Sequence, residues 1–164
     1  MKRIIYSLYT KLYKLIIILT ILIFYNTYLF SVTDTDSNLV ILATETYTLN
    51  NSRIYTNSVQ INGTLYLNTK LTTPNLTISS GGVVTHTLQD SDFELEVTNN
   101  LTIEAGGSIN ADYKGYPGGS GPAWPHGSIY EPSDMGTGGG ANEQCAGASG
   151  GGKIKIVANN IINN

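Results

Sequence analysis

The sequence predicts an all-β fold: a β-solenoid of a few stacked coils carrying a long glycine-rich loop and preceded by an N-terminal hydrophobic helix. Two observations carry this expectation. The first is repetition. Residues 75–84 read NLTISSGGVV and residues 100–109 read NLTIEAGGSI, the same cassette 25 positions further on, and self-similarity at a fixed period marks stacked repeat architectures. Looser copies occur upstream at residues 58–67, SVQINGTLYL, and downstream at residues 154–164, IKIVANNIINN. The second is the concentration of most of the chain's 18 glycines between Gly115 and Gly152, where few side chains are available for a core.

The cassette reads as strand, turn, strand. Leu76-Thr77-Ile78 and Leu101-Thr102-Ile103 place large apolar residues on either side of a β-branched polar one, the period-2 pattern of a strand with one buried face. Gly81-Gly82 and Gly106-Gly107 then let the backbone bend at the same point of each repeat, because glycine takes positive φ without a Cβ penalty. A second apolar alternation follows each pair. Each cassette opens on Asn, at Asn75 and Asn100, which suits turn chemistry and can stack as a ladder between layers. Asn50, Asn62, Asn75 and Asn100 are formal glycosylation sequons, read here as by-products of the strand opening.

Residues 1–31 differ in kind from the rest. Lys2, Arg3, Lys11 and Lys14 flank or precede an apolar core at residues 15–25, followed by Asn26 and, after mixed residues, Ser31, which is the order of an export signal. An uncleaved membrane anchor is the alternative, although Asn26 cuts the apolar run short of the roughly 20 residues that a spanning helix needs. The remainder, residues 32–164, is the expected solenoid domain, with the glycine-rich insertion at residues 115–152. Its only basic residues are Arg53, Lys70, Lys114, Lys153 and Lys155, set against 12 acidic residues, a balance that argues against a nucleic-acid partner. Membrane contact is expected only through residues 1–31, and the setting is secreted or cell-surface.

Asp90, Asp92, Glu94 and Glu96 are spaced to point four carboxylates to one face of a strand. They form either a solvated face between coils or a calcium site of hard oxygen ligands. No other cofactor is expected. Cys145 is the single cysteine, so no disulfide forms within the chain, and His86 and His126 are distant from it in sequence; it reads as an incidental or intermolecularly pairing thiol. Tyr116, Trp124 and Tyr130, with His126, either pin the glycine-rich segment to the scaffold or form an aromatic platform on which sugars stack. The segment GGSG at residues 118–121 lacks the Asp of the calcium-binding nonapeptide repeat, and no glycine loop is followed by the Lys-Ser/Thr that holds phosphate.

The run NLTIEAGGSINADYKGYPGGSG at residues 100–121, GSIYEPSDMGTGGG at residues 127–140 and GGGKIKIVANNI at residues 150–161 resembles the glycine-rich repeat unit of large secreted or cell-surface bacterial and archaeal proteins with a parallel β-helix. In that unit a strand with a Gly-Gly turn leads to a glycine-rich loop containing Pro-x-x-x-Gly-x-Gly-Gly, matched here by Pro132, Gly136, Gly138 and Gly139, and then to a returning strand. Trp124-Pro125-His126 and Asn142-Glu143-Gln144-Cys145 depart from it. The resemblance covers roughly residues 75–164 and implies a non-enzymatic, adhesin-like surface role, with glycans or surface proteins as partners. The rival reading is a carbohydrate-active enzyme fragment of the pectate-lyase type, whose candidate acids would be Asp90, Asp92, Glu94 and Glu96. The closing NNIINN leaves an expected unpaired strand edge open to self-association, and the chain is expected to be the N-terminal part of a longer surface protein or a truncated reading frame.

Overall fold

The computed structural model describes residues 11–20, 32–90, 92–119, 130, 134–140 and 147–164. The chain divides into two compact units, Met1–Ser31 and Val32–Asn164. In the first, residues 11–20 form a helix whose apolar side chains, among them Leu15, Ile16 and Leu19, are exposed. Thr20 donates its hydroxyl back to the carbonyls of Ile16 and Ile17, at 3.0 and 2.9 Å. Among the described residues no helix is long and apolar enough to cross a membrane.

Among its described residues the second unit has eleven strands in two sheets. The larger comprises β1 (Thr33–Asp34), β2 (Asn38–Ile41), β5 (Ser58–Ile61), β7 (Lys70–Ile78), β9 (Glu94–Ile103) and β11 (Lys155–Asn163) in that spatial order, with β4 (Arg53–Ile54) also paired to β7. The smaller is ordered β10 (Ser108–Ile109), β8 (Val83–Thr85), β6 (Thr64–Leu67), β3 (Thr46–Leu49). All pairs are parallel except β1 with β2, which is antiparallel.

This corrects the all-β, solenoidal expectation. The described residues form a mixed sheet, a parallel sheet and a short helix, so the fold is α/β. Cassette spacing specifies which residues become parallel neighbours, but it carries no information about a strand outside the repeats. Thr35 reverses the chain just after β1: its amide and hydroxyl donate to the Asn38 carbonyl at 2.9 and 3.1 Å, and its hydroxyl accepts the Asn38 amide at 3.0 Å. A turn of this size permits only antiparallel pairing, since a parallel return needs a crossover of a dozen or more residues.

The parallel register turns the sequence repeat into columns. Leu39, Val59, Leu76, Leu101 and Ile161 are successive partners across β2, β5, β7, β9 and β11. The expected Asn column exists beside it as Asn38, Ser58, Asn75, Asn100 and Asn160. Within it Ser58 donates to Asn38 Oδ1 at 2.9 Å and Asn160 donates to Asn100 Oδ1 at 3.3 Å. The inward residues of both sheets join one core, which includes Leu39, Ile61, Leu67, Leu76, Val84, Phe93 and Leu101.

Pro74 explains an irregularity in this ladder. The register shifts between Thr73 and Asn75, because β9 inserts Thr98-Asn99 opposite Pro74 alone. Proline cannot donate to a ladder and is tolerated in a sheet at such a bulge. The shift recurs between Ala158 and Asn160 of β11, where the Asn159 side-chain amide donates to the Thr98 carbonyl.

The paired glycines of the cassette play two different parts. Gly81 and Gly106 adopt positive φ, 80° and 86°. Gly82 and Gly107 instead lie so close to the preceding tier that an added Cβ would sit 2.2 Å from the Ile61 carbonyl oxygen and 2.6 Å from that of Ile78.

Candidate functional site

The carboxylate cluster splits between two settings. The strand begins at Glu94, so Asp90 and Asp92 lie before it, where Asp90 Oδ1 accepts the Asp92 amide at 2.9 Å and closes a local turn. Glu94 and Glu96 remain on one face of β9, and lysines on the neighbouring strands neutralise them. Lys70 Nζ lies 3.1 Å from Glu94 and 2.7 Å from Glu96, while Lys155 Nζ lies 3.0 Å from Glu94. Thr72 adds a hydrogen bond to Glu96 at 3.3 Å. These partners hold both carboxyls below the usual range: Lys155 and then Lys70 act on Glu94, and Lys70 acts chiefly on Glu96. Among the described residues no three His, Cys, Asp or Glu side chains are grouped to hold a metal ion.

The aromatic positions are separated by what surrounds them. Tyr116 is half-buried at the start of the glycine-rich segment. Tyr130 is 89% exposed. Trp124, His126, Cys145 and Pro132 lie outside the described residues.

What is described of the glycine-rich segment is held by its backbone. Gly115 donates to Gly150, Gly150 to Tyr116, Tyr116 to Gly136 and Gly136 to Gly151, at 2.8 to 3.0 Å. Gly119 donates to Gly139, and Gly139 to Ala148, both at 2.8 Å. Three stretches of chain thus interlock through their backbones, so tightly that an added Cβ would fall 2.4 Å from a backbone atom at Gly115, 1.8 Å at Gly118 and 2.1 Å at Gly150. The segment meets the core at His86, which is fully buried. Its ring makes an edge contact with Phe93 at 6.0 Å between centroids, and its Nδ1 lies 2.8 Å from the Thr87 carbonyl. A Cβ on Gly152 would fall 2.1 Å from His86 Nε2.

Sequence reasoning missed the densest polar cluster, around Asp34. Its carboxylate accepts from the Tyr47 hydroxyl, from the Tyr55 hydroxyl at 3.1 Å and from Arg53 Nη2 at 3.3 Å, and Arg53 also reaches Asp36 at 3.4 Å. The Arg53 guanidinium lies 5.6 Å from the Tyr55 ring centroid. The topology assembles it. Register places Arg53 at the head of the core column that continues through Leu71, Leu95 and Ile156. Ile54 is exposed and Tyr55 fully buried, so the alternation turns Arg53 and Tyr55 toward the core. Burial first, then the Asp34 charge and hydrogen bond, push the Tyr55 phenol far above its usual range; the hydrogen bond to Asp34 is the main cause of the rise at Tyr47.

Beside this cluster lies a cavity of about 270 Å³, lined by Asp34, Arg53, Tyr47 and the run Thr48 to Ser52, in which Leu49 is the one apolar residue. Asn50 accepts from the Asn68 side chain at 2.9 Å and Ser52 shares a hydrogen bond with Thr69 at 3.1 Å, so hydroxyl and amide groups surround a neutralised ion pair. Chemically this wall offers hydrogen bonds to a polyhydroxylated ligand. It also closes the first tier of the core with polar groups. The signal in the sequence was Arg53 itself, the one arginine after Arg3, set among Asp34, Asp36, Tyr47 and Tyr55.

No family model matches the chain, and neither a curated protein nor a solved structure matches it.

Proposed function

We propose that the chain is an exported structural module of the secreted or cell-surface kind, acting in adhesion-like contacts rather than catalysis. The observation that carries this reading is the column-by-column recurrence of residue type, such as Asn38, Ser58, Asn75, Asn100 and Asn160. Such repetition spends sequence on a regular, extended surface instead of a unique constellation of reactive groups. The basic and apolar order of residues 1–31 supplies the export route. Glycans or surface proteins are the partners, and Tyr116, Trp124 and Tyr130 are the aromatic residues proposed to meet them. The module works without a cofactor.

The test is protease accessibility on intact cells producing the full chain with a C-terminal epitope tag. Loss of the tag from whole cells, or its appearance in the medium, supports export to the surface. A tag that stays protected until the cells are lysed, in the cytosolic fraction, refutes the proposal.

A further inference from the structure

The cavity beside Asp34 brings fixed charges and exposed hydrogen-bonding side chains to one space. Its charged part is held in place by the protein itself. Asp34 accepts from the Tyr47 hydroxyl, from the Tyr55 hydroxyl at 3.1 Å and from Arg53 Nη2 at 3.3 Å, and Tyr55 is fully buried in the core. A carboxylate and a guanidinium fixed in this way lose little freedom when a ligand arrives, which lowers the ordering cost of binding. Neither is sealed off, for the side chains of Asp34 and Arg53 are 23% and 38% exposed. β3 and the turn after it supply the rest of the lining, where Thr48, Asn50, Asn51 and Ser52 are all exposed.

Charge and size narrow the occupant. Arg53 faces two carboxylates, Asp34 at 3.3 Å and Asp36 at 3.4 Å, so no positive charge is left over to hold phosphate or another anion. Two carboxylates already paired to an arginine make a poor cation site, and among the described residues no three His, Cys, Asp or Glu side chains are grouped to hold a metal ion. A neutral ligand remains, and it must hydrogen-bond, because the lining is polar except at Leu49. Paired hydroxyls suit the groups present. The Asp34 carboxylate has about four acceptor positions, and its three donors leave room for another. A hydroxyl that meets a fixed carboxylate or guanidinium makes a charge-assisted hydrogen bond, roughly twice as strong as a neutral one. A volume of about 270 Å³ lies just below the roughly 300–1,000 Å³ of pockets that take drug-sized ligands, which suits a single sugar ring.

We propose that this cavity binds one neutral sugar residue, with Asp34 accepting from and Arg53 donating to neighbouring hydroxyls, and with Asn51 and Ser52 meeting the others. The site is separate from the aromatic residues of the glycine-rich segment. It goes beyond the surface-module reading, because sugar capture here does not depend on where the chain resides.

The test is saturation-transfer NMR on the full chain, purified in a detergent without a sugar headgroup. The probes are glucose, galactose and mannose, their methyl glycosides, and glucuronic acid. At least one neutral sugar should give saturable transfer, and Arg53→Gln should weaken its binding about tenfold or more, the loss expected for a charged hydrogen-bond donor. Because that change also removes the ion pair to Asp34, Thr48→Trp provides a second variant. It fills the cavity from an exposed strand position that aromatic residues favour, so binding should be lost while the melting temperature of the sugar-free chain is unchanged. Glucuronic acid should bind more weakly than the neutral sugars, since its carboxylate would meet those of Asp34 and Asp36. Binding shared by the methyl glycosides assigns the ligand to the end of a glycan, and binding confined to the free sugars assigns it to a small solute; either supports the pocket. The proposal is overturned if no neutral sugar gives saturable transfer, if glucuronic acid binds more tightly than every neutral sugar, or if transfer survives Thr48→Trp. In that last case the sugar is met elsewhere on the chain, and the surface-module reading, which protease accessibility tests, is unaffected.

Discussion

Asp34 concentrates more polar contacts than any other side chain considered above, and its removal is the most informative single change. Asp34→Ala leaves the buried Tyr55 hydroxyl without its acceptor, whereas Arg53 keeps Asp36, and a buried group so stranded costs about 1–3 kcal/mol. Denaturant unfolding should register that loss, while Tyr55→Phe, which removes the hydroxyl with its need for a partner, should cost less. The titrations have defined signs. Tyr47 and Tyr55 are raised above an ordinary value of 10.0. Above that pH the unfolded chain releases protons that the folded chain retains, so stability is full below about pH 10 and falls as pH rises beyond it. Glu94 and Glu96 are lowered from 4.5, so their contribution is present above that pH and is lost on acidification through their depressed values. Melting temperatures measured from pH 7 to pH 3 should fall less steeply below about pH 4.5 in a Glu94→Gln, Glu96→Gln chain.

At the scale of elements, the turns and the glycine-rich segment are fixed by backbone proximity. Gly152→Ala drives a Cβ into His86 in the core, and Gly107→Ala drives one against the Ile78 carbonyl. Each should lower stability by about 2 kcal/mol or more, in the range of strained, overpacked sites. Gly140→Ala, where nothing lies within 4 Å of the added atom, should be nearly neutral in the same thermal melts. β9 gives a complementary expectation. Its two glutamates are already neutralised by Lys70 and Lys155, so millimolar calcium should leave the melting temperature unchanged; a calcium-dependent rise would show that the carboxylates recruit a cation. The cassette strands were legible because Leu76-Thr77-Ile78 and Leu101-Thr102-Ile103 alternate in the strand period and recur at fixed spacing. β1 was not, since Thr33-Asp34 is too short to carry a pattern. The four-carboxylate face was overextended for a related reason: the spacing gives no sign that the strand starts at Glu94 and that Asp90 serves a turn.

Across the second unit, residues 32–164, the same tiers that build the core bring distant residues together. Asp34 meets Tyr47, Arg53 and Tyr55 only because β1, β3 and β4 converge on the first tier, so no local motif announces the cluster. The antiparallel pairing of β1 with β2 was hidden similarly, because repetition dictates parallel neighbours within the cassettes and leaves the strand before them free to reverse. The repeats lie side by side in parallel register, and one cross-link tests this arrangement. Thr77 and Thr102 are Cα partners on adjacent strands, and a strand spacing of about 4.8 Å falls within the Cα separations that a disulfide bridges. In a Cys145→Ser background, the Thr77→Cys, Thr102→Cys chain should form an intramolecular disulfide rapidly under mild oxidation, and Thr77→Cys with Glu104→Cys, shifted by one same-face position, should not. Equal oxidation of the two pairs, or preference for the shifted one, would contradict the register and the columns that depend on it.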